Sequence, residues 1–210
     1  IVIIGASGLA KEVAFLIEDI NKDKKQWNVL GFIDENDKHV GLEINNKPII
    51  GTDSWILKQN KSINIAFGIG SSHLIKKIST EFMDNNLLKF PNLIHPNVIG
   101  DWNNISFGAG NIICAGNIFT TSIQIGNFNY FNLSCTLGHD SIIGNYNVIN
   151  PTVNISGGVE MEDEILLGTG SQILQYKNIC NNCVVGAGSV VTKDLNEAGV
   201  YVGAPAKRIK

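Results

Sequence analysis

From Phe107 to Val191 a bulky apolar residue recurs at every sixth position. The series runs Phe107, Ile113, Phe119, Ile125, Phe131, Leu137, Ile143, Ile149, Ile155, Met161, Leu167, Ile173, Ile179, Val185 and Val191. In a chain that is 44% hydrophobic, such an unbroken run lies far outside chance. An α-helix repeats every 3.6 residues and a strand every two, so neither explains it. A triangular parallel β-helix does, because each short strand sends one residue inward per hexapeptide. Three hexapeptides make a coil of about 18 residues, stacked about 4.8 Å from the next. Gly108, Gly126, Gly138, Gly144, Gly168 and Gly186 each follow a series member directly, which suits a tight corner. Leu93, Ile99 and Ile105 keep the period two residues out of phase. They predict an opening coil joined through a two-residue insertion near residues 101–104, and a solenoid of five or six coils.

Residues 1–90 follow a different grammar. Ile1-Val-Ile-Ile4 predicts a buried strand, Gly5-Ala-Ser-Gly8 a tight turn, and Lys11 to Ile20 a helix with Val13, Leu16, Ile17 and Ile20 on one face. Val29 to Ile33 and Ile63 to Phe67 predict further strands, the latter leading to a helix from Ser72 to Asn85. This β-α-β alternation predicts a small Rossmann-like parallel sheet with helices packed on it, residues 1–90, ahead of a β-helix domain, residues 91–210. Phe90-Pro91 to His95-Pro96 forms the join, with His95 in a structural or surface role.

Ligands of open parallel sheets sit beyond the carboxyl ends of the strands. That rule selects Ser7-Gly8, Asp34-Glu35 and Gly70. The first loop lacks a complete G-x-G-x-x-G pattern but can present backbone N–H groups to a diphosphate at a helix N-terminus, or be a plain strand–helix turn. Asp34 and Glu35 suit ribose hydroxyls or a base N–H, or else form a solvated loop. Net charge is −3 and pI about 5.8, so no nucleic-acid surface is implied. No apolar run reaches transmembrane length and no secretory leader pattern is present. The first residue is not Met, so one or more residues are expected before it.

His139, within Leu137-Gly138-His139-Asp140, is the polar titratable ring inside the regular repeat. It is either a surface histidine on the prism or a general base. Asp140 can hold its tautomer if the backbone bends, since consecutive strand residues point opposite ways. Gly157, 18 residues on, falls one coil above and offers a bare N–H with room for a ligand. Asn132 can position a polar substrate. His39, His73 and His95 lie outside the coils, which argues against a three-histidine zinc site. Cys180-Asn-Asn-Cys183 has half-site spacing with no completing pair, so no metal is expected. The unpatterned cysteines point to a reducing, cytoplasmic setting.

These residues resemble the bacterial hexapeptide-repeat acyltransferases that acetylate nucleotide-activated amino sugars, of the UDP-N-acetylbacillosamine N-acetyltransferase type, with sialic acid O-acetyltransferases as relatives. The likeness rests on Ile4-Gly-Ala-Ser-Gly8, Phe90-Pro-Asn-Leu-Ile-His-Pro96, Leu137-Gly-His-Asp140 and Gly199-Val-Tyr-Val-Gly-Ala-Pro-Ala-Lys-Arg208. It implies a left-handed β-helix, a homotrimer, and acetyl-CoA in a groove between neighbouring β-helices. It implies His139 as general base tuned by Asp140, and Asn132 in the active site. The nucleotide-linked amino sugar would bind at Ser7-Gly8-Leu9, Asp34-Glu35 and near Gly70. The cofactor positions would be Val148, Gly157, Thr169 and Ala187, with Lys207 and Arg208 near the tail. Bacillosamine-type relatives commonly carry His where this chain has Leu9 and Val148. O-acetylation of a sialic acid or other sugar, and a non-catalytic sugar-nucleotide-binding scaffold, are the alternative readings.

Overall fold

The chain divides into two units, Ile1–Pro96 and Asn97–Lys210, in a computed structural model that describes residues 1–210. Unit 1 carries strands β1 (Val2–Ile4), β2 (Gly31–Ile33), β3 (Glu43–Ile44), β4 (Lys47–Gly51), β5 (Ile63–Phe67) and β6 (Leu88–Lys89). Its helices are α1 (Gly8–Asp23), α2 (Asp53–Leu57) and α3 (Ser72–Met83). The strands form one sheet in the order β3-β4-β2-β1-β5-β6, parallel except for β3. β1 and β2 are buried throughout, as the continuous apolar runs of a sheet covered on both faces require.

Helix α1 begins three residues before the expected Lys11, because Ser7 is extended at φ −97° and the chain turns helical at once. It buries Val13, Leu16, Ile17 and Ile20 as their spacing dictates. The sequence reading missed β3, β4, β6 and α2. Asn45 and Asn46, both at positive φ (48° and 57°), make the two-residue turn that pairs β3 with β4. Pro48 and the two-residue length of β3 hide the alternation that would have revealed them. Gly5 and Gly68 let two strand-end loops touch: a Cβ on Gly5 would stand 2.6 Å from Gly68 O.

Unit 2 is a parallel β-helix with three faces. Strands of the first face include Ile112–Ile113, Tyr130–Phe131, Val148–Ile149, Leu166–Leu167 and Cys183–Val185. The second face runs from Ile99–Gly100 through Thr136–Leu137 and Asn154–Ile155 to Val190–Val191. The third runs from Ile105–Phe107 through Ile142–Ile143 to Asn178–Ile179. Successive strands pair 18 residues apart, as in Phe131↔Ile149 and Leu137↔Ile155. Every member of the period-six series is buried except Phe107 on the opening coil, which is half-buried.

Two details of the repeat differ from expectation. The opening coil carries one extra residue, not two: Ile118 pairs with Ile99 at a spacing of 19, while Ile123 pairs with Ile105 at 18. Gly100 therefore occupies the inward position beneath Phe119, and Ile99 is exposed. The glycines after the series members are not bent corners either. Their φ values are ordinary, and a Cβ would run into the coil above, as at Gly126, where it would lie 2.5 Å from Gly144 O. The bends fall two residues later. Every sixth residue from Gly110 to Gly188 has positive φ, including Asp140, Tyr146, Glu164 and Tyr176.

Stacked asparagines tie coil to coil. Asn111, Asn129 and Asn147 are buried in one column. Oδ1 of Asn111 accepts from the Asn129 N–H, and Oδ1 of Asn129 from the Asn147 N–H, both at 2.9 Å. Their Nδ2 groups donate to the carbonyls of Gly126, Gly144 and Glu162. No helix in the structure is long and apolar enough to cross a membrane.

Candidate active site

Two places in the chain gather the residues singled out by sequence. The first is a cavity of about 470 Å³ at the carboxyl ends of β4, β2, β1 and β5. Ser7, Asp34, Glu35 and Gly70 line it, where the strand-end rule put them. Gly8 and Leu9 form the first turn of α1 beside it, and the Leu9 Cδ2 lies 3.7 Å from where a Cβ on Gly70 would sit. No side chain caps the N-terminus of α1 and no acidic residue occupies its first turn, so its leading N–H groups remain suited to an anion.

Asp34 is held from two sides. Its Oδ1 accepts from the Asn36 N–H at 2.9 Å, and its Oδ2 lies 2.9 Å from His39 Nδ1. Burial pushes this carboxyl up, but the bonds from Asn36 and His39 outweigh it and hold the group below its ordinary range. Sequence reading missed Asp53, Lys77 and Glu81, which share the cavity. Burial pushes the Asp53 carboxyl above its usual value, and the charges of Glu81 and Glu35 add to the push against a smaller pull from Lys77. Asp53 follows β4, so only recognition of that strand would have pointed to it.

The second place is the edge between the second and third faces of the β-helix. His139 Nδ1 lies 2.8 Å from Asp140 Oδ2, and both side chains are more than half exposed. The left-handed conformation of Asp140, φ +60°, provides the bend that this contact needs. With Asp140 accepting the Nδ1 proton, the neutral ring carries its lone pair on Nε2. The ring lies over Gly157: a Cβ there would come 2.5 Å from Nε2. The Gly158 N–H donates to the His139 carbonyl at 2.7 Å, locking the two coils together at this point. Tyr176, one coil further and unremarked in the sequence, packs its ring on Gly158 and is 64% exposed. An exposed base with a fixed tautomer is equipped to take a proton from an incoming nucleophile.

The remaining predicted residues lie elsewhere in unit 2. Asn132, Thr169 and Ala187 follow first-face strands and sit on the edge between the first and second faces. Asn132 is half-buried, and its Oδ1 accepts from the Leu133 N–H at 2.8 Å. Thr169 and Ala187 are exposed. Within one chain, therefore, Asn132 and His139 occupy different edges. Val148 is buried on the first face, 4% exposed. Lys207 and Arg208 form the last strand, where Arg208 Nη1 pairs with Glu197 Oε2 at 2.7 Å and Nη2 donates to the Ala198 carbonyl at 2.9 Å.

His95 is tied to α1 through Asp19, Nε2 to Oδ2 at 3.2 Å. The Cys180 and Cys183 sulfurs are 3.6 Å apart, and burial with the neighbouring thiol pushes Cys183 up to about 12. No group of three or more His, Cys, Asp or Glu is arranged to hold a metal.

Comparison with known proteins gives this geometry a context. Residues 1–82 match the PglD N-terminal domain family. The GDP-perosamine N-acetyltransferase of Escherichia coli O157:H7 is 26% identical over 99% of this chain and 95% of its own length. The crystal structure of PerB from Caulobacter crescentus, in complex with CoA and GDP-perosamine, superposes with a TM-score of 0.89 at 25% identity. It covers all of this chain and 96% of that one. The acetyltransferase domain of PglB from Neisseria gonorrhoeae FA1090, in complex with acetyl coenzyme A, shares the fold at a TM-score of 0.90 and 24% identity, over 99% of this chain and 98% of that one. Residues 1–82 thus resemble the PglD N-terminal domain, and along its whole length the chain resembles the hexapeptide-repeat sugar acetyltransferases.

Proposed function

We propose that this protein is an acetyltransferase that moves the acetyl group of acetyl-CoA onto the amino group of a nucleotide-linked amino sugar, with His139 as general base. The observation that carries this reading is the His139–Asp140 pair, 2.8 Å apart, with Nε2 laid over the bare backbone of Gly157. The full-length likeness to a GDP-perosamine N-acetyltransferase supports the donor and the acceptor class.

In the proposed step the sugar amine attacks the thioester carbonyl carbon. Nε2 takes the proton that the nitrogen loses, the carbon–sulfur bond breaks, and the CoA thiolate leaves and receives that proton back from the imidazolium. No acyl-enzyme is required. Asp140 keeps the Nδ1 proton in place and stabilises the imidazolium. The Gly157 N–H serves the thioester side, and Asp34, Glu35 and the α1 N-terminus hold the nucleotide.

The separation of Asn132, Thr169 and Ala187 from His139 and Gly157 on two edges supports a homotrimer. A groove between neighbouring prisms lets one edge of each copy face the same ligand, which a lone chain cannot do. Lys207 and Arg208 suit the phosphates of CoA at such a groove.

The test is His139→Ala, assayed with acetyl-CoA and a panel of amino-sugar nucleotides. Loss of a placed base is expected to lower kcat about 100- to 10,000-fold with the fold intact. Undiminished turnover in the folded variant would remove His139 from the mechanism.

A further inference from the structure

We infer that the unit 1 cavity selects a guanine nucleotide and that Asp53 is the carboxylate reading the base. The inference rests on the cavity being the sugar-nucleotide site.

Strand order fixes the order of the chemistry along its rim. Reading β4, β2, β1, β5, the strand ends supply Asp53, then Asp34–Glu35, then Ser7–Gly8, then Gly70–Ser71. The uncapped N–H groups of α1 suit the diphosphate. Asp34, its oxygens oriented by Asn36 and His39, suits the ribose hydroxyls. Base, ribose and phosphate follow one another in a nucleotide, so the base falls at the Asp53 end. The apolar side chains of Ile33, Leu74 and Ile78, which also line the cavity, suit the faces of a planar ring.

The Asp53 carboxylate accepts no hydrogen bond and forms no ion pair within the chain, although it is partly withdrawn from water. A desolvated carboxylate without donors is costly, and two adjacent N–H groups relieve it best. Guanine presents such a pair, N1–H beside the N2 amino group. Uracil offers one N–H between two carbonyls that a carboxylate repels. Adenine and cytosine place a ring acceptor next to their amino group. The burial that lifts the Asp53 carboxyl, reinforced by Glu81 and Glu35, agrees with a site completed by a ligand donor.

The experiment is calorimetric titration of the full chain with GDP, UDP, CDP and ADP. GDP is expected to bind at least about tenfold tighter than the others, the discrimination of one good bidentate pair. Asp53→Asn is expected to weaken GDP about ten- to a hundredfold and to leave UDP no weaker than before. Far-UV circular dichroism and a cooperative thermal melt matching those of the parent chain report that the variant is folded. Tighter binding of UDP, CDP or ADP would overturn the guanine assignment while leaving a sugar-nucleotide site standing. A GDP preference untouched by Asp53→Asn would overturn the role of Asp53. Failure of all four to bind would overturn both this inference and the sugar-nucleotide reading beneath it.

Discussion

One dihedral decides whether His139 is a surface ring or an equipped base. At an extended φ, Asp140 would point away from the imidazole. At +60° its carboxylate returns to Nδ1. The sequence shows the dipeptide and the repeat, but its glycines pointed to a corner two residues too early, so both the bend at Asp140 and the contact it makes needed coordinates. Gly157 is the matching feature on the coil above. Gly157→Ala places a methyl where Nε2 lies, and the half-exposed ring can swing aside rather than break the coil. We therefore expect kcat to fall about tenfold or more, with Tm moving by no more than about 2 °C. Steady-state kinetics and a thermal melt on the same sample check this. Asp53 behaves in the opposite sense. Its folded pKa is raised, so the protonated form favours the fold, and that contribution is lost as pH rises through the folded value. Asp53→Asn should raise Tm at pH 7, and the gain should vanish below the ordinary carboxyl value of 3.8. Melts at both pH values decide it; a loss of stability at pH 7 would contradict the burial argument.

Among the elements, the β-helix coils were the most legible and the short strands of unit 1 the least. A period of six names the inward residues outright, because each strand contributes one and the next corner resets the count. The same period could not say why glycine follows the inward residue. Only stacking shows that a Cβ there meets the neighbouring coil's backbone, while the bend falls two residues later. Nor did it reveal the asparagine column, since a buried amide and an exposed one look alike in a string of letters. Asn129→Ala removes the acceptor of the Asn147 N–H and the donor to the Gly144 carbonyl. Leaving those buried groups unpaired should cost about 2–4 kcal/mol, seen as a lower urea midpoint with unchanged slope. In unit 1, β3 and β4 escaped notice because β3 is too short to alternate and Pro48 interrupts the pattern of β4. Missing β4 also meant missing Asp53.

For the molecule as a whole, the chief prediction is assembly. If two edges of neighbouring prisms share a ligand, the protein in solution should have three times the 22.8 kDa chain mass. Light scattering coupled to size-exclusion chromatography measures this, and a monomer at assay concentration would leave Asn132, Thr169 and Ala187 without a route to His139. The sequence by itself determined the class of each unit, the inward set of the β-helix, the strand-end loops of the cavity, and His139 with Asp140 as the pair to watch. Those follow from short-range spacing, where each residue's neighbours are fixed by the period of its element. Tertiary structure alone decided the one-residue shift of the opening coil, the two edges that divide the predicted residues, and the meeting of Asp53, Lys77 and Glu81 with Asp34 in one cavity. Such meetings depend on which strands lie side by side, and linear spacing carries no record of that order.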